Sequence, residues 1–585
     1  MLLAIKLAIA ATLAPFGDEA FYWQESRHLA WGYSDLPPLT AWLIRLGEGV
    51  AGHGLLGMRW PFLLLGSALP WLVAAFARRL FGARAGWQAG LLCLALPLAG
   101  SLGVLALPDV PLTVAIMLAL LALARAMDDD RCRDWLLLGA ALAACWLTHY
   151  RAAMPMLAGL LLCVLTPRGR TLWRRRGFWG ALALAALGLL PLLVSNWRQG
   201  GAGLAFQLVQ RNPWRFHADA LVQPLEQALA CTPLLYGLLL WTAWRCWRRR
   251  GEGAPWDLLA IVPMTFIVAY FAAGLFADDL RFRAHWPLPG YLPLLAALPV
   301  LWRPWIARRG WRLFALVTLA LAAVGQLAGL AYLGVAAAPG GARVLAGAKA
   351  FPRTFVGWRE SGAAARGLLR EAPPGTVLVA DNFMLAAELD FQLGGHVPVY
   401  ALDNPLNAFH GRAPQLAVWR RDGAALRARH AGAPMLLAVG EDALRVHDRP
   451  GWLGALCSRI DAPAPLRRLD LYEGRKRVAF YLGRVPSHAP APLPASVAER
   501  DACPIWRRAH AADTGVSASL PPGGDRGGVA QGRAMPAARS SRASAISGRP
   551  IRALGSSFSI RSNRLMPSPS HLKLPAQSSG RSRST

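Results

Sequence analysis

Apolar residues come in long blocks over roughly the first 340 positions. A bilayer-crossing helix needs ~20 mainly apolar residues. The blocks 2–15, 59–77, 86–107, 110–126, 135–149, 152–166, 178–195, 229–247, 257–276, 287–302 and 312–336 predict eleven spans. The first is short. It runs straight into an acidic stretch with no A-x-A-like cleavage site, so it reads as a span rather than a signal peptide. From 340 to 485 the pattern changes. GTVLVAD (375–381), VPVYAL (397–402), PMLLAVG (434–440) and RVAFYLGRV (477–485) predict strands, and NFMLAAELDFQLGG (382–395) predicts a helix closed by Gly394. Strands alternating with helices give a small α/β layer. No G-x-G-x-x-G follows a strand, so no dinucleotide site is expected.

Composition agrees with a membrane class. The chain is 55% hydrophobic and only 16% charged, yet carries a formal charge of +30. Lysine occurs only at 6, 349, 476 and 573, so the basic excess is arginine, here a topology signal and not a nucleic-acid footprint. Residues 486–585 are rich in Pro, Ser, Ala, Gly and Arg. Such a segment buries too little surface to offset its ordering entropy and is expected to be disordered. Eight cysteines form no CxxC, and most read as small buried hydrophobes. Only Cys457 and Cys503 lie where an oxidising compartment reaches both, and a disulfide is expected there.

With the N-terminus in the cytoplasm, the inside loops hold nineteen arginines and the short outside loops nine. The same assignment puts every polar-rich segment outside: 17–39, 107–112, 148–155, 210–217, 278–287 and 340–485. Polar groups at membrane depth are costly and usually functional. A site at the outer surface follows. The expected organisation is a transmembrane domain 1–339 with a first outer loop 16–58, an extracytoplasmic α/β domain 340–485 and the tail 486–585.

The first outer loop contains GDEAFYWQESRHLAWGYSDLPPL (17–39). Trp23, Arg27 and Trp31 fall at helical spacing, which fits a short interfacial helix with aromatic anchors, ended by Pro37-Pro38; TAWLIRLGEGV (40–50) reads as a second helix. Asp18 alone reads as a helix cap, and Asp109, between Pro108 and Pro111, as another. Taken together on one face with Arg281, Arg283 and His285, the acids and cations are the parts needed to transfer a group from a lipid phosphate. His410, Arg412 and Gln415, in NAFHGRAPQLAVW, read either as a structural turn or as an anion or acceptor contact.

Gly17-Asp18-Glu19-Ala20, Tyr22-Trp23, His28 to Tyr33 and Asp35 with Pro37-Pro38-Leu39 resemble the first outer loop of the bacterial GT-C membrane glycosyltransferases, relatives of the protein O-mannosyltransferases and the aminoarabinose lipid A transferase (a glycosyltransferase family 39-like group). Leu107 to Leu112, His285-Trp286-Pro287, Ala380-Asp381-Asn382 and His410 to Gln415 agree in order, so the resemblance covers about 1–485. It implies a polytopic α-helical GT-C membrane protein with a C-terminal extracytoplasmic α/β domain. It implies Asp18 as general base, with Glu19 and Asp109 orienting the acceptor or Asp18. It implies a polyprenyl-phosphate sugar as donor, a lipid A, glycan or protein acceptor, and inverting transfer at the outer face of the inner membrane. Two positions depart from the family pattern. Leu36 stands where a His or Lys often precedes the paired prolines, and His149-Tyr150-Arg151 where many members have Lys. The phosphate clamp then rests on Arg151, Arg281, Arg283 or His285, with Asp35, His410 and Arg412 completing the substrate site. No cofactor is assigned, and a divalent metal is left open. The rival readings are a polyprenyl-lipid binding or transport protein, a sensor or assembly subunit, and a metal-dependent hydrolase; no H-x-x-x-H or similar spacing supports the last.

Overall fold

The computed structural model describes residues 1–210, 214–276, 285–444, 448–494 and 496–514. Arg281 and Arg283 lie outside the described residues.

Each of the eleven apolar blocks is helical. Among the described residues, five helices are individually long and apolar enough to cross a membrane: Leu55–Phe81, Asp109–Asp129, Arg176–Arg198, Trp256–Phe276 and Arg309–Ala337. A sixth span is obtained if Tyr150–Leu165 and Pro167–Arg174, bent by 99°, count as one. Other blocks are shorter or broken. Leu2–Thr12 has eleven residues, and 229–247 is split into Gln223–Cys231 and Pro233–Arg248. The Asp109–Asp129 helix is buried almost all round. Helices Cys132–Thr148, Trp256–Phe276 and Leu288–Ile306 share its apolar core. A helix apolar on every face belongs inside such a bundle. The protein is thus a mostly helical, multi-pass membrane protein with a small sheet domain.

The sheet has the order β2-β1-β3-β5-β4. β1 (Val377–Ala380) pairs in parallel with β2 (Val399–Ala401) and β3 (Pro434–Gly440). β3 pairs antiparallel with β5 (Lys476–Arg484), which pairs antiparallel with β4 (Asp461–Leu471). Four strands and the Phe383–Gln392 helix match the sequence pattern, with Gly394 and Gly395 at positive φ closing the helix. β4 was not legible. DAPAPLRRLDL holds two prolines, is largely exposed and is bulged, which only an edge strand tolerates.

Two further expectations are corrected. The helix of the first loop is Gly17–Arg27, ending before Trp31, and nine of its eleven residues are buried. It is not an interfacial raft. Phe21 meets Phe383 edge-on at 5.6 Å and Trp419 at 5.3 Å. Trp23 donates to Glu48 at 2.7 Å. Ala20 and Phe21 belong to the core of the sheet layer. Met384 presses so close to Gly17 that an added Cβ would sit 2.6 Å from its Cγ, so this close approach requires glycine. The second correction concerns the tail. Ordered structure continues past 486 through the helices Val497–Ala502 and Pro504–Thr514. Cys503, Ile505, Trp506 and Ala509 pack on one face of the sheet, and Cys503 is disulfide-bonded to Cys457. A few large apolar side chains in a Pro- and Ala-rich stretch were enough to dock it. The rest of the expected tail lies outside the described residues.

Candidate active site

Asp18 and Asp109 sit at the starts of their helices but cap neither. The N-cap positions are Phe16 and Pro108, with no side-chain cap bond at either. Both carboxylates instead line one cavity of about 230 Å³, together with Asp35, Arg151, His285, His410 and Arg412. Seven of the ten expected site residues therefore meet in one place. Tyr22, Leu36, His149, Gln207 and Trp286 complete much of its wall.

On the membrane-helix side, Asp109 is the hub. Arg151 Nη2 donates to its Oδ1 at 2.7 Å, and His285 Nε2 lies 3.1 Å from the same oxygen. The Arg151 guanidinium also stands 5.3 Å over the Trp286 ring, and its backbone N–H donates to His149 Nδ1 at 3.0 Å. A fork held by a carboxylate behind it and an indole beside it is oriented before any ligand arrives.

Arg412 reaches into the cavity from the sheet domain. It donates to Asp18 Oδ1 at 3.2 Å, makes a very close ion pair with Asp35, and lies 3.6 Å from Glu25. Its guanidinium covers the Phe21 ring at 4.3 Å. Burial, then the nearby Asp35 carboxyl, pushes the Glu25 carboxyl well above its usual range. Burial pushes Asp35 up as well, against the pull of Arg412. Arg412 thus faces three acids, Asp18, Asp35 and Glu25. Burial lowers the guanidinium's own pKa, but the surrounding acids outweigh it and raise the value, so Arg412 stays charged.

The 410–415 loop is both a turn and a contact. Gly411 has φ 71°, and Phe206 packs where a Cβ would go. Its carbonyl accepts from Ser34 Oγ at 2.7 Å, while Gln415 Oε1 accepts from the Ser34 N–H at 3.0 Å. Gln207 Nε2 donates to the Asp35 carbonyl at 3.1 Å. The first loop is thus clamped to the sheet domain with Asp18 and Asp35 facing the cavity.

Glu19 is not part of this cavity. It is fully buried behind it, where Arg59 donates through Nε at 2.7 Å and Nη2 at 2.6 Å, and the Ala106 N–H donates at 2.7 Å. Successive helical residues point about 100° apart, so neighbours in sequence cannot share a face. Glu19 anchors the loop. Its catalytic expectation is corrected to a structural one. Arg59, one of the nine outer-loop arginines, is fully buried. Glu25 was missed as a site residue, although its place seven positions after Asp18 on one helix face was available to find it. Gln207 left no signal at all. Among the described residues no group of three or more His, Cys, Asp or Glu is placed to hold a metal ion.

The fold is shared with solved membrane-protein structures. The structure of ArnT from Cupriavidus metallidurans bound to undecaprenyl phosphate superposes with a TM-score of 0.57 at 18% identity, covering 84% of this chain and 98% of that one. Its apo form gives 0.57 at 17% identity, with 84% and 97% covered. In sequence, the model of the dolichyl-phosphate-mannose-protein mannosyltransferase family matches residues 35–195. Lipid A galacturonosyltransferase RgtD of Rhizobium johnstonii is 25% identical over 300 residues, an alignment covering 47% of this chain and 58% of that protein. Fold and sequence together support the resemblance to the GT-C, family 39-like group read from the first loop.

Proposed function

We propose that the protein is an integral-membrane glycosyltransferase that moves a sugar from a polyprenyl-phosphate donor to a lipid, glycan or protein acceptor. The observation that carries this reading is one cavity that brings together Asp18 and Asp35, paired with Arg412, and Arg151 and His285, held by Asp109. Asp18 takes the proton of the acceptor hydroxyl as its oxygen attacks C1 of the sugar from the face opposite the phosphate. The C1–O bond to phosphate breaks, and the electron pair leaves with polyprenyl phosphate. A phosphate is already a good leaving group, so it needs positive charge more than a proton, and Arg151 with His285 supplies it. One displacement inverts C1. General-base help of this kind is worth ~10²–10⁴ in rate. Asp109 positions the clamp, and Arg412 positions Asp18 and Asp35.

Two further features favour a lipid donor. An apolar cleft of about 350 Å³, bounded by Ile116, Leu120, Leu142, Pro155 and Phe178, opens seven residues along the Asp109–Asp129 helix from the cavity. That is about 10 Å, a fitting start for a prenyl tail. The structure of ArnT with undecaprenyl phosphate shares the fold. We assign eleven spans and place the cavity and the sheet domain on the extracytoplasmic side of a bacterial inner membrane. The arginine asymmetry and the Cys457–Cys503 disulfide, which an oxidising compartment sustains, support that orientation. The direct test is to incubate the purified protein in nanodiscs with a panel of polyprenyl-phosphate sugars. Release of polyprenyl phosphate from one donor supports the reading. Lipid binding without release from any donor favours a binding or transport protein.

A further inference from the structure

A second polar cleft, of about 360 Å³, lies at the other end of the Leu288–Ile306 helix. Phe81, Arg84, Val300, Arg303, Ile306 and Arg312 line it. His285 stands just before the start of this helix and Arg303 near its end. At 1.5 Å per residue, the cleft is about 27 Å from the catalytic cavity, close to the thickness of a hydrocarbon core. It belongs to the opposite end of the bundle.

Some arginines at that end are neutralised by acids. Arg79 pairs with Asp128 and Asp129, Arg168 with Asp128 and Asp257, and Arg175 with Asp130. The cleft collects Arg84, Arg303 and Arg312, and no carboxylate lines it. None of the three has an acidic partner within 4.0 Å among the described residues. Three guanidinium groups around one hollow repel one another and call for a shared anion. The surroundings say which kind. Trp87 and Leu91 follow Arg84 on one face of the Ala83–Ala95 helix, and Leu316 follows Arg312 by four positions on the Arg309–Ala337 helix. All three are exposed on the bundle perimeter and lead from the cleft toward the middle of the membrane. A free phosphate would have no use for that apolar continuation; acyl chains would.

We propose that this cleft binds the phosphodiester headgroup of an anionic phospholipid of the surrounding membrane, with its acyl chains lying against Trp87, Leu91 and Leu316. Basic pockets between membrane helices hold such headgroups through forked guanidinium contacts. The site is separate from the donor and acceptor cavity and does not depend on the transfer reaction.

The test uses the full chain in neutral detergent, titrated with phosphatidylglycerol or phosphatidylcholine and followed by native mass spectrometry. Phosphatidylglycerol is expected to bind in preference to phosphatidylcholine and to survive millimolar inorganic phosphate. Removing two cleft charges with Arg303→Gln and Arg312→Gln is expected to weaken it on the order of tenfold. Removing two charges outside the cleft with Arg308→Gln and Arg309→Gln is expected to leave it unchanged. Arg84→Gln alone, at an exposed position, gives the same readout if the paired cleft variant does not fold. Equal retention of phosphatidylcholine overturns the proposal, as does equal loss in both paired variants. Displacement by inorganic phosphate also overturns it, because it identifies a free-anion site.

Discussion

Arg412 of the sheet domain donates to Asp18 of the first loop at 3.2 Å, across 394 positions of sequence. The proposed base is therefore held by a residue from the far half of the chain, and the sheet domain is part of the site. Removing Arg412 leaves Asp18, Asp35 and Glu25 without their common cation. Breaking a buried pair from one side costs about 3–5 kcal/mol. Arg412→Ala is expected to lower the thermal midpoint of the purified protein and abolish turnover. Arg412→Lys, which keeps the charge but not the fork, is expected to recover stability more than activity. A midpoint unchanged in Arg412→Ala contradicts the clamp.

The same cluster sets a pH dependence. Glu25 has a carboxyl pKa raised by folding, so its favourable contribution is fully present below its unfolded value, about 4.3. It is lost as pH rises through the folded value. The thermal midpoint of the wild type is expected to fall as pH rises above about 4. Glu25→Gln keeps the neutral form and is expected to flatten that slope. Parallel profiles for the two proteins contradict a buried, protonated Glu25.

Glu19 and Arg59 are expected to behave as a structural pair. Glu19→Gln or Arg59→Met alone strands a buried charge and costs about 3–5 kcal/mol. The double variant Glu19→Met with Arg59→Met is expected to regain much of that loss, and with it activity. Calorimetry on the four proteins measures the coupling. If the stable double variant is inactive, Glu19 has a catalytic part after all.

How much of this was legible follows from what a sequence can encode locally. The apolar blocks predicted helices because a membrane solvent forces backbone pairing inside each segment. Alternating helices brought Asp18, Asp109, Arg151 and His285 to one end, which topology alone supplies. What the sequence hid were relations across a helix turn or across domains. Asp18 and Glu19 look like one motif, yet their side chains diverge by about 100°. Arg59 reads as a surface charge until Glu19 is found beside it. β4 lacks alternation because it is bulged and largely exposed. The 497–514 segment reads as disorder because it docks through a few apolar side chains, Cys503, Ile505, Trp506 and Ala509.

That last segment is testable. Cys457 and Cys503 close a loop of sequence separation 46. Removing the bond with Cys503→Ser is expected to cost about 2–4 kcal/mol of sheet-domain stability. It is expected to expose 497–514 to limited proteolysis. Identical cleavage patterns in variant and wild type would mean the docking does not need the bond.

The cation clamp should act on the donor. Arg151→Gln is expected to weaken binding of polyprenyl phosphate and lower turnover together. Asp109→Asn keeps the cations but loosens their orientation, and is expected to show a milder loss of the same kind. Scintillation binding of labelled polyprenyl phosphate in nanodiscs separates the two effects. Unaltered binding in Arg151→Gln places the phosphate elsewhere.

The central claim is that Asp18 is the base, and single-turnover transfer by Asp18→Asn tests it most directly. With donor bound at saturation and the fold confirmed by thermal midpoint, the rate is expected to drop by ~10²–10⁴ while donor affinity stays close to wild type. A variant that folds, binds donor and transfers sugar at the wild-type rate would contradict the account.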